Sequence, residues 1–323
     1  MTLSAHPVHG VPEVRPGDDL AGLLAAALTS DGAPGLLDGD VLVVTSKVVS
    51  KAEGRIAVGR DRDEVIDAET ASVVAQWAGP HGRTVISRTR HGLVLAAAGV
   101  DSSNTEPGTL VLLPDDPDGS ARRLRGALLD TLRVNVGVVV SDTLGRAWRV
   151  GQTDAAIGAA GLRVLDDLRG RVDAHGRRLD VTIRAVADEI ACVADLVAGK
   201  TSGIPAVVVR GVENMVLDAD DPGPGASAII RPEAEDRFRL GTAEAMRAAV
   251  LQRHMVRRLS DEMVPADAIE RAIDAAHRAP APHHTQPGEF VVLHRGERRT
   301  RLLDSMRTTW IADLEADGLD LSL

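Results

Sequence analysis

Ser141-Asp142-Thr143 places a carboxylate between two hydroxyls directly after the apolar run 136–140. Oxygen ligands at the carboxyl end of a buried strand suit a hard divalent cation, Mg²⁺ or Mn²⁺. Gly145-Arg146-Ala147-Trp148-Arg149 follows, and two arginines beside a carboxylate are what a triphosphate with its metal requires. A turn capped by Asp142 and paired to Arg146 is the plain alternative, and this segment alone leaves the two readings level. Asp101-Ser102-Ser103-Asn104 is a second acidic, hydroxyl-rich turn, by itself an ordinary Asx turn. Thr45-Ser46-Lys47-Val48-Val49-Ser50-Lys51 brings more hydroxyls and two lysines to a strand end. Only Lys47, Lys51 and Lys200 are lysines among 37 basic residues. Lys47 reads as a solvated surface charge, whereas the scarcity of lysine tilts Lys51 toward a point contact with phosphate.

Other candidates fall away on context. The segment from Ala194 to Gly199-Lys200-Thr201 is a relaxed P-loop match, but a helix precedes it and a strand follows, the reverse of what phosphate binding needs. No GxGxxG fingerprint occurs. Cys192 sits among Ile190, Val193, Leu196 and Val197 on a helical pattern, so it reads as core and not as a nucleophile. His283-His284 are adjacent on an extended stretch and point apart, which suits a loop contact better than a shared metal.

The elements that must position these groups follow from periodicity. Strands are predicted at 41–44, 84–87, 110–113, 134–140 and 206–209, with helices at 18–28, 64–77, 120–132 and 185–198. Asp18 or Asp19 is the predicted N-cap of the first helix. Buried strands mixed with amphipathic helices give an α/β (α+β) first domain, and the turn-rich 218–225 reads as a long loop inside it. Beyond it, helices are predicted at 242–259 and 265–278 and a strand at 290–293, a thin core for some 80 residues.

Composition narrows the partners. With 323 residues about two domains are expected. The net charge of -10 and the absence of Tyr, with two Phe and three Trp, disfavour nucleic acid and anionic membranes, while a local basic pocket can still hold a phosphorylated small molecule. One cysteine excludes an internal disulfide framework and any multi-cysteine zinc site. No signal core or apolar membrane span is visible, so a cytoplasmic protein is expected.

Taken in order, Val11-Pro12-Glu13-Val14, Thr45-Ser46-Lys47-Val48-Val49-Ser50-Lys51, Ala98-Gly99-Val100-Asp101-Ser102-Ser103-Asn104 and Ser141-Asp142-Thr143-Leu144-Gly145-Arg146-Ala147-Trp148-Arg149 resemble the coenzyme F-420:L-glutamate ligase family. The match covers residues 8 to about 247, and residues 1–247 are expected to form a mixed-sheet ligase domain. Residues 248–323, through Arg253 to Leu259 and Ala279 to Pro287, resemble the opening third of an FMN-binding nitroreductase-like domain, as an incomplete, helical tail. The resemblance implies GTP-dependent addition of L-glutamate to F-420-0 and then to F-420-1, through an acyl phosphate, by a homodimer. Asp101, Asp142 and Thr143 match the family's metal-site residues by position, for Mg²⁺ or Mn²⁺ with K⁺ as a further candidate. Val11, Pro12, Glu13, Val14, Ser46, Lys51 and Asn104 match its GTP contacts, and no catalytic residue is assigned.

Two positions depart from the pattern. Lys200 stands where stand-alone ligases tend to offer a Gln to a second metal, and a protonated lysine cannot ligate. Met255 replaces a Ser found near the FMN phosphate, and a complete FMN site is not expected within one chain. An FMN-dependent oxidoreductase and a catalytically inactive ligase-like binding protein are the competing functions.

Overall fold

Two runs of β-branched residues, Val41-Leu42-Val43-Val44 and Val207-Val208-Val209, are apolar on both strand faces, so each must lie in a sheet covered on both sides. The computed structural model describes residues 2–79, 82–103, 105–236, 241, 243–253, 255, 258, 260, 262–278 and 289–318. In chain order the first part runs β1 (Ser4–Pro7), α1 (Leu20–Thr29), β2 (Val41–Thr45), α2 (Ser46–Ala52), β3 (Ile56–Val58), α3 (Arg62–Glu69), β4 (Thr70–Gly79), β5 (Gly82–Thr89) and β6 (Val94–Ala96). It continues with β7 (Thr109–Val111), α4 (Pro117–Leu132), β8 (Gly137–Gly145), β9 (Gln152–Ala160), β10 (Asp166–Asp167), β11 (Ile183–Arg184), α5 (Val186–Ala198) and β12 (Ala206–Arg210). The helices α6 (Ala243–Gln252), α7 (Ala266–His277) and α8 (Glu297–Ala316) follow.

The main sheet has the order β1-β12-β2-β8-β9, and only the β2–β8 pair is parallel. Alternation along its strands separates two cores. Leu42, Val44, Val138, Val140 and Val208 pack with Leu24 and Leu28 of α1 and Leu124 and Leu128 of α4. Val41, Val43, Val139, Val207 and Val209 face Val186, Ile190, Ala191 and Ala194 of α5. Each large side chain so buried stabilises by roughly 1.5–3 kcal/mol. Local signals set the helix starts: Asp19 caps α1 by accepting from Gly22 N at 3.0 Å, and Asp116 caps α4 from Gly119 N at 2.9 Å with Pro117 at the first helical position.

The buried guanidinium of Arg125 ties the 218–225 loop to this sheet. It donates to the carbonyls of Val136 (3.0 Å), Asp221 (2.8 Å) and Asp218 (2.8 Å) and to Asn135 Oδ1 (2.9 Å). Gly161, at φ +64°, leaves it room: a Cβ there would lie 2.1 Å from Arg125 Nε.

Three expectations are corrected. The helix predicted over 242–259 spans Ala243–Gln252, and the described residues 253, 255 and 258 beyond it are not helical. The helix predicted over 64–77 ends at Glu69, and Thr70–Gly79 is instead a strand paired antiparallel with β5. Val65 and Ile66 carry the helical face into a small core, whereas Val73, Val74 and Trp77 are β-formers that stand exposed on the strand. The strand predicted at 290–293 is not formed, because no described segment after Ala245 pairs with it, and an unpaired strand has no ladder to satisfy its backbone. The mixed sheet followed by helices otherwise matches the expected α/β (α+β) class.

By internal packing the chain divides into Met1–Ala245 and Met246–Leu323. In the second unit neither α7 nor α8 buries a described residue, and His277 stacks at a tilt on Phe290 with ring centres 4.9 Å apart. Among the described residues no helix is long and apolar enough to cross a membrane.

Candidate functional site

β2 stops at Thr45, which pairs with Ser141, while β8 runs on to Gly145 against β9 alone. The chain leaving β2 turns at once into α2, so the exposed margin of β8 beyond Ser141 faces a cavity. Asp142 and Thr143, as neighbours on a strand, point to opposite faces. Each meets a different set of partners there.

On the α2 side, Ser46 Oγ donates to Asp142 Oδ1 at 3.0 Å. Lys47 Nζ lies 2.7 Å from Asp101 Oδ2. Burial pushes the Asp142 carboxyl up to about 6, against the Ser46 bond and the charge of Lys47, which act in the opposite direction. Burial also works against charge on Asp101, but Lys47 and two bonds from Ser103, both at 2.8 Å, outweigh it and hold that carboxyl below its usual range.

Asp101 is held by a strained turn. Its backbone N–H and C=O both pair with Val111, at 3.0 and 2.8 Å. Ala97 and Ala98, just before it, adopt left-handed φ values of 53° and 51°, an arrangement that costs about 1 kcal/mol or more per non-glycine residue. Gly99 completes the turn at φ +76°, and a Cβ there would meet Leu113 at 2.7 Å. Val65, Ile66, Ala98, Val100, Leu110 and Leu112 form the small core that holds this turn in place.

On the α5 side, Thr143 Oγ1 donates to Asp154 Oδ1 at 2.8 Å, and Ser141 Oγ donates to Asp154 Oδ2 at 2.9 Å. Lys200 Nζ donates to Thr143 Oγ1 at 2.5 Å and pairs with Asp154 Oδ1 and Asp195 Oδ1, each at 3.0 Å. Burial opposes the Lys200 charge, yet its bonds to Asp195 and Asp154 raise it above the ordinary lysine range.

The cavity measures about 360 Å³, and Lys47, Arg62, Asp101, Asp142, Thr143 and Lys200 contribute its polar wall. The structure thus brings Asp101, Asp142 and Thr143 together, with Ser46 behind Asp142. Lys51 instead meets Glu13 Oε1 at 2.6 Å, which joins α2 to the segment 11–14. In that segment Val14 is buried in the main core, Val11 packs against it, and Pro12 and Glu13 are exposed. Asn104, His283 and His284 lie outside the described residues. Cys192 Sγ donates to Asp154 O at 3.1 Å, and burial pushes its thiol up, which suits a structural role.

Sequence reasoning passed over Arg62, Asp195, Lys47 and Asp154. Lys47 read as surface charge because its partner, Asp101, is remote in sequence. Asp154 was missed although one signal existed: it is the lone charge opening the otherwise apolar run 154–161.

The donor set is hard and oxygen-rich. Among the described residues no group of three or more His, Cys, Asp or Glu could hold a metal alone. The two carboxylates Asp101 and Asp142 beside the cavity suit Mg²⁺ or Mn²⁺, which takes one or two carboxylates and completes its shell with phosphate oxygens and water.

Residues 10–211, from the segment at Glu13 to the end of β12, match the family model described as F420-0:Gamma-glutamyl ligase. The chain belongs to this family. Relatives named coenzyme F420:L-glutamate ligase include one from Methanopyrus kandleri, 41% identical over 74% of this chain and 98% of the relative. One from Archaeoglobus fulgidus is 40% identical over 74% of this chain and 97% of its own length. One from Natronomonas pharaonis is 39% identical over 78% and 99%. Outside the ligase match, residues 250–320 fit the model of the nitroreductase family.

Proposed function

We propose that this chain is a coenzyme F-420:L-glutamate ligase that couples GTP cleavage to amide-bond formation, first on F-420-0 and then on F-420-1. The convergence of Asp101, Asp142, Thr143 and Lys47 on one cavity, in a chain of the ligase family, carries the reading. Its partners are small molecules, with a homodimer as the working assembly.

In this reaction a carboxylate oxygen of the F-420 precursor attacks the γ-phosphorus of GTP and GDP leaves. The glutamate amine then attacks the acyl carbon, and phosphate departs with the oxygen that came from the carboxylate. Asp101 and Asp142 would hold Mg²⁺ or Mn²⁺, which supplies charge neutralisation on the triphosphate. Ser46 fixes the rotamer of Asp142, and the strained turn at Ala97 and Ala98 fixes Asp101, so neither carboxylate has to reorganise as charge moves. Lys47 and Arg62 bring positive charge to the same wall. Precursor labelled with ¹⁸O in its carboxylate is expected to deliver label into the released phosphate. Unlabelled phosphate would rule out the acyl phosphate.

Lys51 is assigned to GTP, together with Val11, Pro12, Glu13, Val14, Ser46 and Asn104. Its ammonium bridges α2 to Glu13, and a planar guanidinium on a longer side chain presents its donors differently from this compact charge. Lys51→Arg is expected to weaken GTP binding roughly tenfold, about 1.4 kcal/mol, in a nucleotide titration. Unchanged affinity would return Lys51 to a purely structural role.

FMN is not assigned to residues 250–320, which match the nitroreductase family; a flavin site needs an enclosed, largely apolar pocket with several convergent polar groups. The full chain is expected to leave flavin fluorescence unchanged at micromolar FMN, and quenching with saturation would contradict this.

A further inference from the structure

The corner of the cavity on the α5 side is built around an ammonium. Lys200 Nζ has three donors, and each finds an oxygen: Thr143 Oγ1 at 2.5 Å, Asp154 Oδ1 at 3.0 Å and Asp195 Oδ1 at 3.0 Å. These oxygens come from β8, β9 and α5, so the contact joins three elements. Two carboxylates and a hydroxyl converging on one point are the surroundings of a hard cation.

The choice of residue is specific. Three of 37 basic residues are lysine, yet Lys47 and Lys200 both line this cavity. A compact ammonium with a tetrahedral spread of donors can sit among three oxygens, whereas a guanidinium presents a flat fork. Lys200 leaves Asp142 and Asp101 untouched, because their partners are Ser46 and Lys47 on the α2 side.

We propose that Lys200 is the resident cation of this corner: its ammonium holds the Thr143, Asp154 and Asp195 oxygens in the place of a second divalent ion. A single divalent ion, at Asp101 and Asp142, then accompanies the triphosphate, and phosphate charge on the α5 side is met by lysine. Thr143 is a positioning residue in this arrangement, its proton given to Asp154 and its lone pair to Lys200. The inference rests on the metal-triphosphate reading of the cavity.

Counting ions tests it without turnover. The full chain is titrated with Mn²⁺ in the presence of a non-hydrolysable GTP analogue, and free Mn²⁺ is read by electron paramagnetic resonance. Wild type is expected to bind a single Mn²⁺ per chain. Lys200→Gln, which removes the charge and offers an oxygen, is expected to bind a second. Lys200→Arg keeps the charge and is expected to stay at one, and thermal melts confirm that both variants are folded. Two ions in wild type, or one in folded Lys200→Gln, would overturn the role of Lys200. No Mn²⁺ bound by wild type would instead overturn the metal-triphosphate reading, and the proposal with it.

Discussion

Asp142→Asn is expected to leave the fold intact while lowering glutamate ligation by about 10²–10³-fold, the usual cost of removing one preorganised charge from a reacting centre. The amide keeps the shape of the carboxyl and can still accept from Ser46 Oγ, so the neighbouring strand has no reason to move. It cannot neutralise the cation proposed to accompany the triphosphate. Stability supplies an independent signature.

The Asp142 carboxyl rises from 3.8 to about 6 in the folded protein, chiefly through burial. A raised acid favours the folded state while it is protonated, so the stability contributed by this group is full below about pH 4 and is lost as pH rises through about 6. The Asn variant lacks that loss. In metal-free buffer at pH 7.5 it is expected to exceed wild type by about 1–2 kcal/mol, a modest figure because water in the cavity reaches part of the group, and to equal it near pH 4. Lower activity together with equal or higher melting temperature is the expected pair. A variant that is inactive because it is unfolded, or one that is fully active at low Mn²⁺, would contradict the assignment.

Arg125→Met is expected to be the most damaging single change to stability, at about 3–5 kcal/mol. Methionine fills much of the volume but donates nothing. The carbonyls of Val136, Asp218 and Asp221 and Asn135 Oδ1 would all lose a charged donor inside the protein. Arg125→Lys should fall between, since three donors on one nitrogen cannot span the acceptors that a guanidinium reaches. Denaturant titration of the full chain, followed by circular dichroism, gives the difference directly. A loss below about 1 kcal/mol would mean that the 218–225 loop is held by something other than Arg125.

Much of the frame was legible because burial on both faces leaves a plain signature. The runs at 41–44 and 206–209 could only be central strands, and β2 and β12 lie side by side in the sheet. Asp142 could be placed from position alone, since polar residues directly after such a run fall at the strand margin. What escaped detection depends on pairs that are distant in sequence. Lys47 is an ordinary helix-face lysine until Asp101 is folded against it, and Asp154 reaches Thr143 only through the β8–β9 register. Arg125 is equally silent, because backbone carbonyls, which every residue possesses, are most of its partners. The over-long helix at 64–77 arose where a true helical face at Val65 and Ile66 runs straight into Thr70, with no Gly or Pro to mark the change.

Mass spectrometry of the coenzyme reads GTP-dependent glutamate ligation at the product itself. The full chain is incubated with F-420-0, L-glutamate, GTP and Mn²⁺, and the F-420 species are resolved by mass. Successive addition of one and then further glutamyl residues is expected, lost on omission of GTP or in the folded Asp142→Asn variant. Unchanged F-420-0 in the presence of folded wild-type chain and all three co-reactants would contradict the account.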